Sequence, residues 1–467
     1  MNGDGPPGPH TPDRTYDVAV LGAGPAGLMA ALALARAGRA VVVLEARDHP
    51  GGLAAGFEVG GIRVDHGSHR LHTATPAPLL TELRALLGDD LQRRVRRGRI
   101  RLGDRFLRFP LEPVDLLRHA PPRLALGAGR DLVTGPWRRP PAADTFADVV
   151  RSRLGPAVLE WFYRPYARKL WGREPEELSG ALARRRIGLH SSGALVRRVL
   201  AGRDPDAGVY LYPRGGFGRI PEVLAEAARA AGADLRLGTP VTGLAPGVVI
   251  TGDTRVRARL VASTLPLGTL ATLGDAPPDL RRAAAGLARR GLVLCYLVVD
   301  RDRYTDWEAH YFPGPEIVAV RVTEPKAYRD DPGEAPGRTV LCAEIPASPG
   351  EDLWDVAPAA LGARLARELV AVGLPDPEPR EVVVRRVPGV YPAPRPGDEA
   401  VVGALTAWVT DALGVVPFGR HGMFVHDNTH HALAAGAALA ACVGPDGFDR
   451  DAWHTARRHL EAQVVED

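Results

Sequence analysis

The chain has 467 residues, enough for two or three domains with sizeable cores, and its 45% hydrophobic and 24% charged residues are ordinary for a globular enzyme. The net charge of +4 comes almost wholly from arginine, because Lys169 and Lys326 are the only lysines. Arginines spread along a chain rich in alanine, glycine and proline indicate coding bias, so we expect no nucleic-acid partner.

Residues 1–14 are polar and rich in proline and glycine. They contain neither a basic n-region nor an apolar h-region, so we expect a disordered leader and no signal peptide.

Residues 16–57 form the unit around which the rest of the chain is organised. An apolar run at residues 18–21 is followed by the turn Gly22-Ala23-Gly24-Pro25-Ala26-Gly27, an alanine- and leucine-rich run to Ala37, a second apolar run at 40–44, and Glu45. This order predicts strand, glycine turn, helix, strand and acid, the pattern of a dinucleotide-binding Rossmann unit. A glycine turn without a ligand is the alternative, since the chain holds 53 glycines.

In such a unit each element has a physical role. The glycines permit a tight turn, close approach of backbone to a pyrophosphate and close packing of helix on strand. The helix N-terminus presents free N–H groups to the phosphates, and Glu45 accepts hydrogen bonds from a ribose diol. The next residues, Arg47-Asp48-His49-Pro50-Gly51-Gly52, resemble those of FAD proteins of the glutathione-reductase structural class. That resemblance implies FAD as the cofactor.

Residues 56–72 predict a hairpin that ends in a Gly/Ser/His turn. Here the sequence resembles the superfamily of flavin amine oxidases, protoporphyrinogen oxidases, phytoene desaturases and UDP-galactopyranose mutases. The resemblance implies that this turn lies against the flavin near N5, and the spacing of His69 and His72 is most similar to the mutases. The two histidines could also hold a metal ion, but no third ligand is near in sequence, so we expect no metal.

Residues 76–207 show helical periodicity, with helices predicted over 78–88 and 146–163. Five aromatic residues fall within residues 161–171, and the pattern from Tyr166 to Leu178 is similar to the mutases and to their protoporphyrinogen-oxidase-like relatives. Such aromatics either form an apolar wall against a flavin or substrate ring, or fill the core between two helices. The arginine run at residues 93–101 is interpreted as a solvated strand or loop face, with a phosphate-facing patch as the alternative.

The segment from Tyr212 to Pro266 resembles the superfamily's return to the FAD domain. It predicts a helix over 221–231, a strand pair at 234–237 and 240–244, and a buried strand at 259–264. The resemblance implies that the backbone of Val241 meets the adenine.

Beyond Pro266 we expect a second part of the substrate domain, with strands at 293–299 and 317–322. Arg321-Val322-Thr323-Glu324-Pro325-Lys326 resembles a mutase motif whose arginine approaches the substrate's diphosphate. Arg321 is therefore the expected anchor for an anionic substrate, and a charge at a sheet edge is the alternative.

The last motif, residues 418–431, predicts a Gly-Arg turn, a short strand and a helix over 432–441 whose N-terminus covers the flavin. His426, His430 and His431 lie where an acid or base would be useful, although histidines at a helix start also cap the helix or face solvent.

The predicted fold is α/β, with a glutathione-reductase-type Rossmann FAD-binding domain and an inserted α+β substrate domain. The FAD-binding domain is discontinuous and comprises residues 15–75, 208–266 and 385–445. The substrate domain comprises 76–207 and 267–384, and residues 446–467 form a C-terminal helix.

The predicted site has three groups of residues. The cofactor-binding residues are Gly22, Gly24, Ala26, Gly27, Glu45, Ala46, Arg47, Gly52, Leu53, Gly67, Ser68, His69, Val241, Gly419, Arg420, Asn428 and Thr429. The substrate-binding residues are Tyr166, Trp171, Arg321 and Tyr391, and the catalytic candidates are His69, His426 and His430.

The sequence is compatible with three functions. An FAD-dependent oxidoreductase would transfer hydride from a small, glycosylated or anionic metabolite to flavin N5. A mutase would use N5 of reduced flavin as a nucleophile on a sugar nucleotide, and a non-catalytic flavoprotein partner is the third alternative. Phe424, His426 and Asp427 stand where the mutases carry diphosphate-binding tyrosines, and His190 stands where they carry an arginine, so the oxidoreductase is placed first. Neither lysine has the context of the lysine that holds water in amine oxidases, so we expect simple amines to be poor substrates.

Three scattered cysteines exclude a disulfide framework and fit a reducing compartment. No apolar run approaches the roughly 20 residues that cross a bilayer, so we expect a cytoplasmic protein with no integral membrane segment. A homodimer stays open.

Overall fold

A computed structural model of the chain describes residues 15–109, 121–134, 144–187 and 208–465, together with Asp115, Arg118 and His119. The predictions for residues 1–14 and for His190 lie outside the described residues.

The described strands, β1 to β21 in chain order, belong to five sheets. They are Thr15–Leu21, Val41–Leu44, Gly56–Val59, Ile62–Asp65, Leu71–His72, Leu91–Val95, Gly98–Leu102, Arg105–Phe109, Val209–Pro213, Asp234–Arg236, Gly243–Ala245, Val248–Thr251, Thr254–Ser263, Arg289–Val299, Ala309–Tyr311, Arg321–Thr323, Thr339–Pro346, Glu381–Pro392, Val415–Pro417, Val443–Gly444 and Gly447–Phe448.

The longer described helices are numbered α1 to α13. They are Pro25–Arg36, Ala77–Leu87, Pro122–Thr134, Phe146–Arg153, Arg164–Trp171, Gly180–Ile187, Arg219–Ala230, Leu267–Leu273, Pro278–Ala285, Pro358–Ala371, Asp398–Leu413, Thr429–Ala441 and Arg450–Glu461. Single turns occur at Pro156–Val158, Asp352–Asp355 and Gly419–Gly422, and a π-helical turn occurs at Leu159–Tyr163.

The first sheet contains the glycine-turn unit. Its order is β10-β2-β1-β13-β12-β11, and β19 also pairs with β13. Strands β10, β2, β1, β13 and β19 run parallel, whereas β11 and β12 are antiparallel additions. One face of β1 packs under α1 and α12, and the other packs on α8 and α11. Because both faces are covered, residues 18–21 of β1 and all of β2 are apolar, as expected for buried parallel strands.

The second sheet has the order β18-β14-β17-β16-β15-β7-β8. All its pairs are antiparallel except β15 with β7. Helix α10 covers one face, and the β3–β4 hairpin packs on the other. A small third sheet, β5-β9-β6, lies between these two parts of the chain.

Buried Asp65, the last residue of β4, joins several of these elements. Its carboxylate accepts hydrogen bonds from the Tyr212 hydroxyl in β9 and from the backbone N–H groups of Phe217 (3.2 Å) and Gly218 (3.1 Å), just before α7. Its carbonyl accepts a hydrogen bond from the Tyr296 hydroxyl of β14 at 2.6 Å. One residue therefore fixes the end of the hairpin against the third sheet, the start of α7 and the second sheet.

The glycine-turn unit has the predicted order, with β1, α1 and β2 followed by Glu45. The predicted helix over 146–163 is wrong, because α4 ends at Arg153. Gly155 has φ +99 and Pro156 has no N–H group to donate, so the helix stops and restarts.

Three predictions about strands are also wrong. The segments at 234–237 and 240–244 do not pair, since β10 pairs with β2 and β11 pairs with β12 at the opposite edge. The N–H groups of Gly238 and Thr239 instead donate to the carbonyls of Arg47 and Glu45, both at 2.7 Å.

The strand predicted at 317–322 begins only at Arg321. Before it, side chains take the place of a neighbouring strand. Lys169 donates to the carbonyl of Ala319 (3.1 Å), and Val318 N donates to Glu368 (2.9 Å). The short strand of the last motif lies before the Gly-Arg turn, as β19, and residues 423–428 have no strand.

The fold is mixed α/β, with parallel and antiparallel sheets. The predicted domain limits stay a prediction, although β18 runs across the limit at 384/385 and α13 lies within the predicted C-terminal helix. Of the helices in the described ranges, none combines the length and apolarity that a bilayer crossing needs. All three cysteines are buried and free.

Asp65→Ala should lower the free energy of unfolding by about 3–5 kcal/mol, because it leaves one hydroxyl and two N–H groups without their acceptor. Tyr212→Phe removes only one donor and should cost about 1 kcal/mol. Urea unfolding followed by circular dichroism measures both variants. Equal small losses in the two would show that the Asp65 carboxylate does not hold these elements together.

Candidate active site

A continuous cleft of about 760 Å³ runs from the first sheet to the second. At one end it is lined by residues that directly follow parallel strands, namely Gly22 after β1, Glu45 after β2 and Thr264 after β13. At the other end it is lined by the aromatic segment and by strands β7, β15 and β16. The carboxyl ends of parallel strands are where ligands bind in open α/β sheets.

The glycine turn leaves open space at the start of α1. Gly24 is the N-cap residue with extended backbone, α1 has no acidic residue in its first turn, and no side chain caps it. A Cβ on Gly24 would lie 4.0 Å from the Cα of Gly52, whose φ is +55, so two glycine backbones face each other without side chains between them. Unpaired N–H groups, a positive dipole end and a side-chain-free gap fit a pyrophosphate.

Gly27 has a different role from Gly24. A Cβ on Gly27 would lie 2.0 Å from the carbonyl oxygen of Gly22, so this glycine is required by the packing of α1 on the turn. It does not line the cleft.

Glu45 braces the same turn. Its carboxylate accepts hydrogen bonds from the backbone N–H groups of Ala23 (2.8 Å) and Arg47 (3.0 Å). The side chain also lines the cleft, and each carboxylate oxygen keeps a second lone pair for a ribose hydroxyl.

Most of the predicted cofactor-binding residues come together in this cleft. Those that line it are Gly22, Gly24, Ala26, Glu45, Arg47, Gly52, Leu53, Gly67, Ser68, His69, Gly419, Arg420, Asn428 and Thr429. Gly27, Ala46 and Val241 do not line it. Val241 packs among the apolar residues below the first sheet, since the backbone at 238–239 is held beside Glu45 and Arg47. The residues present therefore fit FAD.

The Gly67-Ser68 turn is held from the second sheet by Glu344, whose side chain is only 1% exposed. Its carboxylate accepts from Ser68 N (2.7 Å) and forms a fork with Arg321, with Nε to Oε1 at 2.9 Å and Nη2 to Oε2 at 2.7 Å. Arg321 lines the cleft, and β16 is an inner strand, so the arginine is not at a sheet edge. Its charge is already matched by Glu344.

Some aromatic residues of the segment 161–171 line the cleft, and others fill a core between helices. Phe162, Tyr163 and Tyr166 line the cleft, and the rings of Phe162 and Tyr166 stack at 5.7 Å. Trp171 does not reach the cleft, because it is 2% exposed and packs on Phe146 in the core of α4, α5 and α6.

Tyr391 and His426 meet in the cleft as a stacked pair at 5.5 Å. Arg186 donates to Nε2 of His426 (2.6 Å) and to the Tyr166 hydroxyl (2.9 Å). Burial and nearby arginines, Arg186 first among them, hold the pKa of His426 well below its usual value. The imidazole is therefore neutral, and Nδ1 has no hydrogen-bond partner among the described residues.

The other two catalytic candidates differ in position. His69 lines the cleft, stacks on Phe217 at 5.2 Å and has Nε2 3.1 Å from the carbonyl of His66, while burial lowers its pKa. His430 does not line the cleft. It lies 4.0 Å from His431 and 6.0 Å from His72 between ring centroids, and burial lowers its pKa to about 4.

The ring of His69 stacks on Phe217, whereas the ring of His72 lies beside His430 of α12. Within the described ranges no three histidine, cysteine or acidic side chains come close enough to hold a metal ion.

The cleft carries far more charge than the sequence motifs predict. Its lining arginines are Arg47, Arg70, Arg96, Arg186, Arg289, Arg321 and Arg420, and its lining carboxylates are Glu45, Glu344 and Asp427. Arg420 donates to Asp427 at 2.8 Å, and Arg70 donates to the buried Glu308 behind the cleft at 3.2 Å. The side chain of Arg289 forms no hydrogen bond or ion pair with the described residues. No local motif marks Arg289, because its position in the cleft depends on the long strand β14.

Neither lysine lines the cleft. Lys169 donates to the carbonyls of Phe312 (2.7 Å) and Ala319 (3.1 Å), and burial lowers its pKa to about 8. Lys326 donates to the carbonyls of Ala335 (3.0 Å) and Arg338 (2.9 Å).

Comparison with known proteins gives one matching family and several similar proteins. The profile of the flavin containing amine oxidoreductases matches residues 25–414. A phytoene dehydrogenase from Streptomyces griseus is 34% identical over 269 residues, which is 49% of this chain and 48% of the relative. The chain thus matches about half the length of that curated relative.

Two solved structures share the fold at low identity. Reduced UDP-galactopyranose mutase aligns with a TM-score of 0.79 and 18% identity over 97% of this chain and 98% of its own. A protein from Exiguobacterium sp. 255-15, provisionally named a protoporphyrinogen oxidase, aligns with a TM-score of 0.70 and 19% identity over 91% and 97% of the two chains. The superfamily resemblance seen in the sequence is confirmed.

Gly24→Ala should weaken FAD binding roughly tenfold or more while leaving the stability of the flavin-free protein unchanged, because the methyl group fills ligand space without touching protein. Gly27→Ala is the contrasting variant. It should lower both the affinity for FAD and the stability of the flavin-free protein, since its methyl group collides with the backbone of the turn. FAD titration of the flavin-free proteins and thermal unfolding measure the two effects. Unchanged FAD affinity in Gly24→Ala would show that the cofactor binds elsewhere.

Proposed function

The chain belongs to the flavin containing amine oxidoreductase family and is a flavin-dependent enzyme, and on that premise we propose that it is an FAD-dependent oxidoreductase of a small anionic metabolite. The observation that carries the proposal is the continuity of the cleft, in which the glycine turn and the arginine-rich end share one space. The proposal includes metabolites in which the anionic group is joined to a sugar, the class that the sequence indicates.

The cofactor half of the cleft supports a glutathione-reductase-type FAD-binding domain. Gly24, Gly52 and the start of α1 would hold the diphosphate, Glu45 the ribose, and the Gly67-Ser68 turn and the start of α12 the flavin ring. Flavin accepts two electrons as hydride at N5 when it is bound.

The start of α12 contributes a positive dipole end beside the cleft. Asn428 and Thr429 line the cleft at this end, and Asn428 N donates to Nδ1 of His431 at 3.1 Å. The remaining N–H groups of the first turn stabilise negative charge on a group that binds against them.

The charges at the substrate end support an anionic substrate. Arg321 and Arg420 are matched by buried carboxylates, whereas Arg289 has no carboxylate among the described residues. Burial lowers the pKa of Arg289, so an unmatched guanidinium is costly there until an anion arrives. We therefore assign Arg289 as an anchor for substrate carboxylate or phosphate, beside the anchor predicted at Arg321.

The stacked rings of Phe162 and Tyr166 and the hydroxyl of Tyr391 provide the remaining substrate contacts. Flat aromatic faces take an apolar or ring-shaped part of a ligand, and Arg186 fixes Tyr166 through its hydroxyl.

A UDP-galactopyranose-mutase-like isomerase is the second candidate. The stacked Phe162–Tyr166 pair favours it, because such a platform also accepts a nucleobase. It comes second because His426 and Asp427, where the mutases carry tyrosines, are already bound to Arg186 and Arg420.

The decisive test is anaerobic mixing of the purified protein with glycosides, sugar phosphates, carboxylates and sugar nucleotides. We expect an anionic compound to bleach the oxidised flavin and to yield a product two hydrogens lighter. Arg289→Gln should raise the KM of that compound by roughly 10- to 100-fold, since an ion pair to a charged group is worth about 1.5–3 kcal/mol. A product isobaric with its substrate, formed only with pre-reduced flavin, would establish the mutase instead. Flavin that no compound bleaches would indicate a non-catalytic partner.

Primary amines should bleach the flavin at least about 100-fold more slowly than the anionic substrate, because the arginines of the cleft outnumber its carboxylates and repel an ammonium ion. Both lysines are held by backbone carbonyls outside the cleft, so neither supplies the water-holding lysine. Stopped-flow measurements with benzylamine and a linear diamine check this. Rapid bleaching by either amine would contradict it.

A further inference from the structure

Tyr311 projects into the cleft from the second sheet. It is the last residue of β15, half-buried, and its ring packs at 4.9 Å from that of Phe109. Its backbone is fixed on both sides, by Arg321 of β16 and by Ile100 of β7.

The hydroxyl of Tyr311 is held by Arg70. Nη1 of Arg70 donates to it at 3.0 Å, while Nη2 donates to the Tyr328 hydroxyl at 3.0 Å and to Glu308 at 3.2 Å. The Arg70 side chain is 8% exposed, and it lies over the rings of Tyr210 and Tyr328 at 5.2 and 4.7 Å. The guanidinium is thus fixed from several directions, and the Tyr311 oxygen accepts from it.

The proton of Tyr311 differs from those of the tyrosines around it. Tyr210 donates to Glu308 at 2.9 Å, Tyr212 donates to Asp65, and Tyr328 lies 2.8 Å from the Ser68 hydroxyl. For Tyr311 no described residue accepts the O–H proton, and the cleft borders the ring. A hydroxyl that accepts from a fixed cation and has no protein acceptor is positioned to exchange its proton with a ligand.

The charges that face Tyr311 come from three elements. Arg70 follows the β4 strand, Arg96 precedes β7, and Arg321 of β16 lies 5.8 Å from the ring and carries Glu344 behind it. Burial alone would raise the pKa of Tyr311, but the charges of Arg70, Arg96 and Arg321 outweigh it and lower the pKa below the usual 10.0. Tyr328, on the other side of Arg70, has a raised pKa because burial dominates there.

The three histidines predicted to be catalytic are less suited to this task. Arg186 occupies Nε2 of His426, His69 directs Nε2 to a backbone carbonyl, and His430 lies outside the cleft. Burial also lowers the pKa of all three, which makes them weak bases.

We propose that Tyr311 is the acid–base residue of this cleft, with Arg70 as its positioning residue, and that it exchanges a proton with the substrate's reacting oxygen or nitrogen. The inference rests on the proposed oxidoreductase function. In the oxidation, the O–H or N–H bond of the substrate breaks and its proton passes to the Tyr311 phenolate. Flavin held in the cofactor half of the cleft would supply the hydride acceptor for the adjacent carbon, where the double bond to oxygen or nitrogen forms. The Tyr311 phenol then releases its proton to water.

The first experiment follows tyrosinate absorbance of the holoenzyme from neutral pH to about 11. One tyrosine should ionise at lower pH than free tyrosine in the wild type, and Tyr311→Phe should abolish that early ionisation. Tyr391→Phe is the matched control, because Tyr391 lines the same cleft but burial raises its pKa to about 12, so this variant should keep the early ionisation. Arg70→Lys should move the early ionisation to higher pH. The proposal is overturned if the wild type shows no early tyrosine ionisation, or if the Tyr311→Phe variant retains that ionisation.

The second experiment uses the substrate found by anaerobic screening. Tyr311→Phe should slow flavin bleaching by about 10²- to 10⁴-fold and remove the rise of the rate with pH, as expected when a general base is lost. Bleaching by Tyr311→Phe at the wild-type rate overturns the acid–base role while leaving the oxidoreductase function intact. Conversely, an early ionisation that belongs to Tyr311 in a protein whose flavin no compound bleaches supports the acidified phenol and contradicts the oxidoreductase.

Discussion

The structure depends on the buried carboxylate of Asp65. It is the point at which the hairpin β3–β4, the third sheet and the start of α7 share hydrogen bonds, and the same residue receives the Tyr296 hydroxyl from the second sheet. A buried carboxylate is tolerated only when its lone pairs are satisfied, so these elements have little freedom to shift separately. The turn that follows, from His66 to His69, lies in the middle of the cleft. The geometry of the site is thus set by an interaction behind it.

A second pattern is the way in which arginines are fixed around the cleft. Arg321 with Glu344, Arg420 with Asp427 and Arg70 with Glu308 are pairs in which the acid is buried. Such pairs add little net stability, because desolvation offsets their attraction, but their hydrogen bonds hold each guanidinium in one orientation. The paired arginines are therefore held rigidly, and Arg70 in turn positions the Tyr311 hydroxyl. Arg289 has no matching carboxylate among the described residues, and we propose that it binds the ligand. Under the proposed function, the excess of arginines over carboxylates in the cleft would favour an anionic substrate over a cationic one.

The local sequence pattern of residues 16–57 is enough to predict the order of the elements that line the cofactor half of the cleft. The glycine turn, α1, β2 and Glu45 are contiguous, and their roles follow from backbone geometry that is short in range. The prediction for Val241 depends on a strand pair that does not form, and the ring of Trp171, predicted to bind substrate, fills a core between three helices. Tertiary packing decides which face of a short helix meets a cavity, and the spacing of residues along the sequence does not determine that packing. Tyr311 and Arg289 lie in no motif, and nothing in the segment 56–72 singles out Arg70, because three separate segments bring these residues to one cleft.

The parallel contact between β7 and β15 has a consequence for how the chain matures. Among the described strands, the β7–β8 hairpin joins the second sheet through β15, which lies roughly two hundred residues later in the sequence. As the polypeptide leaves the ribosome, that hairpin waits with an open strand edge until the later segment emerges. Productive assembly of this part of the cleft wall is therefore a late event, and Arg99 and Arg101 of β7 give the waiting edge a charge that discourages association with other nascent chains.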